Sequence, residues 1–218
     1  MFAQMHQRDR ADKYDNLAPR YDKLHHRWLR HAGGEAQAAL EALVRALATP
    51  DTGLLDAGCG TGNLARRLIA EGLPPKAMTL LDPSVSMLAH CADIPVPKIE
   101  GRLEALPFKD GAFDIVTCVW ALETVPNPDL ALTELCRVVR PGGVLCLAFC
   151  ADMPARGLAD SLIRQALLYR GTGQFLSRRH VIETIENIAG FNVRAIPSNG
   201  PAATLLAKRT IETVPDPL

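Results

Sequence analysis

The chain has 218 residues, of which 48% are hydrophobic and 22% charged, proportions that are ordinary for one globular domain. The 24 lysines and arginines equal the 24 aspartates and glutamates, so no dominant charge favours nucleic acid as a partner. No apolar run reaches the roughly 18 residues that cross a bilayer, and the polar N-terminus predicts no signal peptide. The six cysteines form no C-x-x-C pair, which predicts reduced thiols, a cytoplasmic protein and no metal site.

The first 48 residues are rich in helix-forming patterns, and residues 8–48 are predicted to be helical. Apolar residues recur there at three- and four-residue spacing, as one face of a helix requires: Tyr14, Leu17, Tyr21, Leu24 and Trp28. Pro19 is predicted to open a second helix, because proline is tolerated in a first turn. Gly33 and Gly34 are predicted to interrupt the helix before "EAQAALEALVRALA" resumes it.

From residue 52 onward, short apolar strands alternate with helices. The predicted strands are "TGLLDA", "AMTLLD", "KIEG", "AFDIVTCVW" and "VLCLAFC". The predicted helices between them are "NLARRLIAEG", "SVSMLAHC" with Ser84 as its N-cap, and "PDLALTELCRVVR" capped by Asn127. Residues 141–143, Pro-Gly-Gly, are predicted to form the turn into the fifth strand. Such alternation predicts an α/β fold with a parallel sheet covered on both faces.

The last third of the chain is predicted to complete this sheet. Helices are predicted over residues 153–170 and 178–189, followed by the strands "FNVRAI" and "ATLLAKR". The short segment "PSNGPA" between these strands fits a hairpin, so the final pair is predicted to be antiparallel.

The segment "LLDAGCGTGNLA", residues 54–65, places three glycines directly after the first strand. A tight turn needs one glycine, so the other two are interpreted as room for a ligand against the backbone. A dinucleotide fingerprint has its third glycine where Asn63 stands, and no Lys-Ser or Lys-Thr pair follows as a P-loop requires. Neither of these two phosphate-binding motifs is therefore predicted.

Two acidic residues narrow the ligand further. Asp56, just before the glycines, suits an ammonium group better than a pyrophosphate, and Asp82 ends the second strand, where a carboxylate can accept both hydroxyls of a ribose. The loop thus predicts a ligand with a ribose, a cationic amine and no phosphates, a description that fits S-adenosylmethionine.

Four segments resemble, in order and spacing, the motifs of the class I S-adenosylmethionine-dependent methyltransferases: "LLDAGCGTGNLA", "LLDPSVSML", "EALPFKDGAFDIV" and "LTELCRVVRPGGVL". The resemblance covers roughly residues 50–150 and is greatest to the small-molecule branch that includes the ubiquinone/menaquinone biosynthesis methyltransferases. It implies a Rossmann-like, doubly wound, seven-stranded sheet with the last strand antiparallel. Residues 1–48 are then expected to form a helical lid on a methyltransferase domain of residues 49–218.

The resemblance also implies which residues hold the cofactor. The methionine end is assigned to Asp56, Gly58, Cys59 and Gly60, and the ribose to Asp82. Other expected contacts lie along the adenosine, at the sulfonium and on the lid: Pro83, Met87, Leu103, Val119, Trp120 and Tyr21. Several of these also have purely structural interpretations, namely helix capping by Asp56, strand-end capping by Asp82, and core packing by Met87 and Tyr21.

The sequence departs from the family pattern at Arg102. The family usually reads Gly-Asp-Ala before "EALPF", whereas this chain has Gly101, Arg102 and Leu103. The usual aspartate accepts a hydrogen bond from the adenine amino group, and an arginine only donates. Either backbone and packing hold the adenine, or Arg102 stacks on the ring.

For the reaction itself, the residues predict methyl transfer by in-line displacement with a wall of aromatic rings. Trp120, with Tyr14 and Tyr21, is the candidate for that wall, and Glu123 is a candidate base or substrate contact, with helix capping as the alternative. His25 and His26 point to different helix faces, which disfavours a paired metal site, although one of them can contact substrate.

The acceptor is predicted to be a small molecule. No Asn/Asp-Pro-Pro-Tyr follows the fourth strand, where "WALETVPNP" stands, which disfavours methylation of nucleic-acid bases. Residues 1–31 are more basic than the rest of the chain and are expected to make weak contact with an anionic membrane, consistent with a quinone- or lipid-like acceptor. A solvated lid face is the alternative for this segment, and a non-catalytic cofactor-binding sensor or scaffold is the alternative function.

Overall fold

The computed structural model describes residues 2–152, 174–198 and 201–211, and within the first range it describes side chains from residue 13 onward. The helix predicted over residues 153–170 lies outside the described residues. None of the described helices is long and apolar enough to cross a bilayer.

Helices and strands alternate through the described ranges. The α-helices are α1 Phe2–Trp28, α2 Gly34–Leu47, α3 Asn63–Ala70, α4 Val85–Ala89, α5 Pro128–Val138 and α6 Arg178–Glu186. The strands are β1 Leu54–Ala57, β2 Met78–Asp82, β3 Lys98–Glu100, β4 Phe113–Val119, β5 Val139–Cys150, β6 Phe191–Ile196 and β7 Ala202–Arg209.

The seven strands form one sheet in the order β3-β2-β1-β4-β5-β7-β6. The neighbours from β3 to β5 are parallel, whereas β7 runs antiparallel to both β5 and β6, so the predicted architecture is confirmed. The strand order reverses between β1 and β4. In such sheets, ligands bind in the crevice beyond the carboxyl ends of the strands at this reversal.

Apolar side chains cover both faces of the sheet. On one face Leu132 and Leu135 of α5 pack into a cluster with β4 and β5, and all of these side chains are removed from solvent. On the other face Leu40 of α2 and Leu68 of α3 pack against β1 and β2. The strands are buried on both faces, which explains their near-continuous apolar sequences.

Helix α1 is longer and more continuous than predicted. It runs through Pro19, so the prediction that Pro19 opens a second helix was wrong. Pro19 is exposed, whereas Ala18 before it is buried and Tyr21, two residues after it, is partly buried. The contacts of the flanking turns therefore maintain the helix despite the missing N–H of the proline.

The predicted interruption at Gly33 and Gly34 is a change of helix type and not a break in the chain of helical residues. A single wide π-turn, Leu29–Gly33, connects α1 directly to α2. A Cβ on Gly33 would lie 2.4 Å from Nε1 of Trp28 and 2.9 Å from Cη2 of Trp120. Glycine is thus required at this position because two tryptophans pack against its backbone.

Strand β5 begins five residues earlier than predicted. Phe113 pairs with Val139 and Ile115 with Val144, so four residues of β5 stand opposite one of β4. The Pro-Gly-Gly segment of residues 141–143 is therefore a bulge within β5 and does not form a separate turn before it.

Candidate active site

The glycine loop, residues 58–62, follows β1 at the reversal of strand order. Gly58, Gly60 and Gly62 all have positive φ angles, of 75°, 53° and 79°. A Cβ on Gly58 would lie 2.4 Å from Cβ of Ala121, and one on Gly62 would lie 2.5 Å from Cδ1 of Ile94. Packing within the protein therefore requires glycine at both positions, a reason that the sequence interpretation did not include, and Gly58 also lines cavities on this side of the sheet.

Gly60 differs from Gly58 and Gly62 because there is open space where its side chain would lie. The closest atom to a Cβ at this position would be Cε1 of Tyr21, at an ordinary contact distance of 3.6 Å. The positive φ still favours glycine, but the backbone of Gly60 faces a cavity. This is the point of the loop at which a ligand can approach the main chain.

Asp82 anchors the loop from the end of β2. Its Oδ2 accepts a hydrogen bond from the Gly60 N–H at 2.8 Å, and its Oδ1 accepts one from the Ser84 N–H at 2.9 Å. Burial raises the pKa of Asp82 to about 6. A carboxylate has about four acceptor positions, so Asp82 caps the strand end and retains acceptor capacity toward the cavity that it lines.

Asp56 lies deeper, within β1, and is only 2% exposed. Its Oδ1 accepts a hydrogen bond from Oγ1 of Thr117 at 2.9 Å, whereas its buried Oδ2 has no hydrogen-bond partner among the described residues. Burial raises the pKa of Asp56 to about 7. A cation beside Oδ2 would supply the missing partner and favour the ionised form, so the site fits a ligand ammonium group.

Three cavities meet around these residues, and Tyr21 and Trp120 line all three. The front cavity, beside Asp82, has a volume of about 710 Å³ including its open mouth. The rear cavity, beside Asp56, has a volume of about 340 Å³ measured in the same way. The outer cavity lies along α1 beside Glu123 and is larger, about 2030 Å³ including its open mouth.

Helix α1 is hydrogen-bonded to the loop side of the domain at two points. Asp15 accepts hydrogen bonds from Oγ of Ser84 and from the Ser86 N–H at the start of α4. Asp22 accepts hydrogen bonds from Oγ1 of Thr61 at 2.7 Å and from Nδ2 of Asn63 at 2.9 Å. The hydrogen bond from Ser84 is the largest cause of the lowered pKa of Asp15. We call these two contacts the α1 ties.

Aromatic rings line the junction of the three cavities. Tyr21 meets the edge of Tyr14 at a centroid distance of 6.4 Å and stacks on His25 at 5.6 Å. Trp120 meets Trp28 edge to face at 5.4 Å. Trp120 has a φ of 57°, unusual for a residue with a side chain, and strained residues of this kind cluster at functional sites.

A buried hydrogen-bond network holds the Trp120 ring. Its Nε1–H donates to Oε1 of Gln37 at 2.8 Å, and Nε2 of Gln37 donates to Oε1 of Glu41 at 2.7 Å. Nη1 of Arg67 donates to the same Glu41 oxygen at 3.0 Å. Gln37 was not found from the sequence, since only the packing of α2 on the sheet brings it to Trp120.

Glu123 lies at the floor of the outer cavity and is 4% exposed. Its Oε1 accepts a hydrogen bond from the Cys150 N–H at 3.2 Å, and its buried Oε2 has no partner among the described residues. Burial raises the pKa of Glu123. His25 lines the outer and rear cavities, and burial lowers its pKa to about 4, so its imidazole is neutral at neutral pH.

The remaining residues predicted from the sequence lie in the same crevice. Four of them line the front cavity: Pro83, Met87, Arg102 and Leu103. Cys59 and Val119 line the rear cavity. The described residues contain no group of three or more His, Cys, Asp or Glu side chains that could hold a metal ion, and all six cysteines are unpaired thiols.

The strand order, the glycine loop and the two acidic residues beside it define a class I S-adenosylmethionine-dependent methyltransferase. Residues 55–147 match the sequence model of a family described as "Methyltransferase domain". A structure of an S-adenosylmethionine-dependent methyltransferase from Thermotoga maritima superposes with a TM-score of 0.68 at 20% identity, covering 90% of this chain and 98% of that one. At this identity the likeness shows the fold alone.

Two curated relatives are more similar in sequence. The chain is 36% identical over 188 residues to the ubiquinone/menaquinone biosynthesis C-methyltransferase UbiE of Methylobacterium nodulans, covering 79% of this chain and 73% of that protein. It is 33% identical over 150 residues to the UbiE of Brucella abortus, covering 63% of this chain and 55% of that protein. The chain therefore belongs to the class I S-adenosylmethionine-dependent methyltransferases, enzymes whose cofactor is S-adenosylmethionine, and resembles UbiE among them.

Proposed function

We propose that the chain transfers the methyl group of S-adenosylmethionine to a small, largely apolar acceptor bound in the outer cavity. The observation that carries this proposal is the junction at Tyr21 and Trp120, which line the two cavities beside the glycine loop and also the outer cavity. A methyl donor on the loop side and an acceptor on the α1 side meet at these two rings.

The cofactor, when bound, supplies a methyl group on a positively charged sulfur. Asp56 binds the ammonium group, and the backbone from Gly58 to Gly60 lies along the methionine. Asp82 accepts the ribose hydroxyls. The adenosine side packs on residues of the front cavity: Pro83, Met87, Arg102 and Leu103. These assignments fit the unpartnered oxygen of Asp56 and the open space above Gly60.

Around the reacting atoms, the chain orients the groups and excludes water. Tyr21, Trp120 and Val119 surround the sulfonium end, where an aromatic face stabilises a cation by about 0.5–2 kcal/mol. The hydrogen bond from Trp120 to Gln37 fixes the indole ring. Alignment of acceptor and methyl group in one site removes about 7–11 kcal/mol of the barrier.

Glu123 receives the proton that the acceptor loses. Methylation at carbon or oxygen of a neutral acceptor releases one proton, and Glu123 places a buried carboxylate oxygen without a partner at the outer cavity. Burial raises the pKa of Glu123, which makes its carboxylate a stronger base than that of an exposed glutamate. His25 has its pKa lowered to about 4 and is the weaker base.

The outer cavity favours a quinol-like or lipid-like acceptor. Its walls include the apolar side chains of Leu17, Leu24, Trp28 and Phe175, and its α1 side bears exposed cations. UbiE is named as a C-methyltransferase of ubiquinone and menaquinone biosynthesis. By analogy, we assign this chain a ring carbon of an aromatic diol as the accepting atom.

To test this function, the purified chain is incubated with methyl-labelled S-adenosylmethionine and 1,4-dihydroxynaphthalene, and the labelled product is located by mass spectrometry and NMR. We expect label on a ring carbon and at least a tenfold lower kcat in Glu123→Gln, with KM for the cofactor unchanged. Cofactor binding without transfer to this diol or to a panel of phenols, amines, thiols and phospholipids would favour the sensor or scaffold alternative.

We further propose that the enzyme works in the cytoplasm and touches anionic membranes weakly through α1. Arg20, Lys23 and Arg27 are exposed on this helix beside the mouth of the outer cavity, and none has an ion-pair partner among the described residues. Anionic but not neutral vesicles are expected to sediment a fraction of the protein. The Arg20→Gln/Arg27→Gln variant should abolish this fraction, and absence of lipid-dependent sedimentation in the unmodified chain would contradict the contact.

A further inference from the structure

The front cavity holds an acidic residue that the sequence did not single out for cofactor binding. Ala105 donates a backbone hydrogen bond to the Arg102 carbonyl at 3.2 Å, which closes a tight turn with Leu103 and Glu104 at its centre. Leu103 is buried, and Glu104 lines the front cavity beside it. The turn therefore brings a carboxylate to the cavity two residues after the arginine.

The Glu104 carboxylate has unused acceptor capacity inside the protein. Its Oε1 is buried and has no hydrogen-bond partner among the described residues. Thr124 also lines the front cavity, and its hydroxyl donates to the Ala121 carbonyl at 2.7 Å. A buried acceptor without a donor costs free energy, so native proteins rarely retain one unless another group donates a hydrogen bond to it.

We propose that Glu104 accepts a hydrogen bond from the 6-amino group of the cofactor's adenine and so takes the place of the aspartate that this chain lacks at residue 102. The exocyclic amino group offers N–H donors, and a carboxylate is the acceptor that forms the stronger, charge-assisted bond. Arg102 has no acceptor atom on its side chain and cannot perform this task. The proposal concerns residues of the cofactor site and is independent of the acceptor's identity.

This contact predicts selectivity for the purine base of the ligand. A purine with a 6-oxo group presents a carbonyl oxygen where adenine presents an amino group, so it would place an acceptor against the Glu104 carboxylate. Glu104 is thus expected to select adenosine over inosine in the cofactor.

The test measures binding by calorimetry, with S-adenosyl-L-homocysteine and S-inosyl-L-homocysteine as the probes. We expect the unmodified chain to bind the adenosyl compound at least tenfold more tightly. Glu104→Ala should weaken adenosyl binding about tenfold to a hundredfold, as expected for loss of one hydrogen bond to a charged group. The same variant should strengthen inosyl binding, because the carboxylate no longer faces the 6-oxo oxygen. Glu104→Gln retains a carbonyl acceptor without the charge. Its affinity for the adenosyl compound should lie between those of the unmodified chain and Glu104→Ala.

Glu100→Gln serves as the matched control, because Glu100 is exposed at the end of β3, close to the same turn. It should bind both compounds as the unmodified chain does. Inosyl binding that is retained or strengthened in Glu104→Ala also shows that the variant is folded. The proposal would be overturned if the unmodified chain bound both compounds equally well, or if Glu104→Ala weakened the binding of both equally. Either result would leave the cofactor site itself unchallenged. Failure of the unmodified chain to bind either compound would contradict the cofactor site itself.

Discussion

Three buried carboxylates each keep one oxygen without a hydrogen-bond partner among the described residues, and each lines a different cavity: Asp56, Glu104 and Glu123. An unsatisfied buried polar group costs about 1–3 kcal/mol. Each of these oxygens therefore lowers the stability of the ligand-free protein. We interpret the three oxygens as marks of the ammonium, adenine and acceptor positions.

Asp56→Asn should reduce the affinity for S-adenosyl-L-homocysteine by about 1.5–3 kcal/mol at pH 8, the scale of a hydrogen bond to a charged group. Burial raises the pKa of Asp56 to about 7 in the free protein, and an ammonium ligand favours the ionised form. Affinity in the unmodified chain should therefore rise between pH 6 and pH 8. Calorimetry across this pH range should show that affinity depends less on pH in Asp56→Asn than in Asp51→Asn, a control change at an exposed residue.

Asp82→Ala should affect both binding and stability. The ribose loses its acceptor, which should weaken cofactor binding by about 1.5–3 kcal/mol. The N–H groups of Gly60 and Ser84 also lose their partner, so the ligand-free variant should melt at a lower temperature. Calorimetry and thermal unfolding check the two effects separately. Unchanged affinity in a folded variant would contradict the ribose assignment.

Among the helices and strands, local sequence patterns correctly predicted those whose conformation depends mainly on their own residues. Apolar runs bounded by glycine or aspartate gave β1, β2 and β4, and Asn127 was correctly predicted to cap α5. Pro19 and the bulge in β5 were misjudged, because contacts with distant residues override the usual preference of proline and glycine for ends and turns.

The site was predictable to a similar extent. The motif residues follow strands, and parallel strands end at one edge of a sheet, so Asp56, Asp82 and Trp120 were expected to lie near one another. Gln37 depends on the placement of α2, and Glu104 on a turn that a local pattern does not specify. The internal packing of Gly58 and Gly62 was missed because its partners lie far along the chain.

Helix α1 is expected to detach when both α1 ties are removed. In Asp15→Ala/Asp22→Ala, the hydrogen bonds to α4 and to the glycine loop are lost. Hydrogen exchange of residues 13–28 should accelerate, and S-adenosyl-L-homocysteine should dissociate faster because Tyr21 no longer covers Gly60. Arg30→Gln, an exposed change in the π-turn, should alter neither rate. Unchanged exchange in the double variant would show that packing alone holds the helix.

For the whole molecule, ligand binding and pH should act together on stability. Burial raises the pKa of Asp56 to about 7 and that of Asp82 to about 6, so both favour the folded state when protonated. Their contribution is full below pH 4 and is lost as the pH rises through these values. A bound ammonium group offsets this loss at Asp56 by stabilising its ionised form.

The rise in melting temperature caused by S-adenosyl-L-homocysteine should therefore be greater at pH 8 than at pH 5.5. At a hundredfold excess over Kd the ligand stabilises the fold by about 2.7 kcal/mol, and Kd itself should fall with rising pH. Differential scanning calorimetry at matched ligand concentration measures the difference. Asp56→Asn should show a smaller dependence on pH. An equal rise at both pH values would contradict the coupling between the buried acids and the ligand.

Helix α1 forms a wall of both the cofactor side and the outer cavity. Its position therefore also affects the order in which cofactor and acceptor bind and are released. Tyr21 lies over Gly60, so we expect the cofactor to exchange when α1 lifts, whereas the outer cavity beside α1 is open to solvent. We expect an ordered sequential mechanism in which the cofactor binds first and its demethylated form departs last. Product inhibition by that form should then be competitive with the methyl donor and noncompetitive with the acceptor.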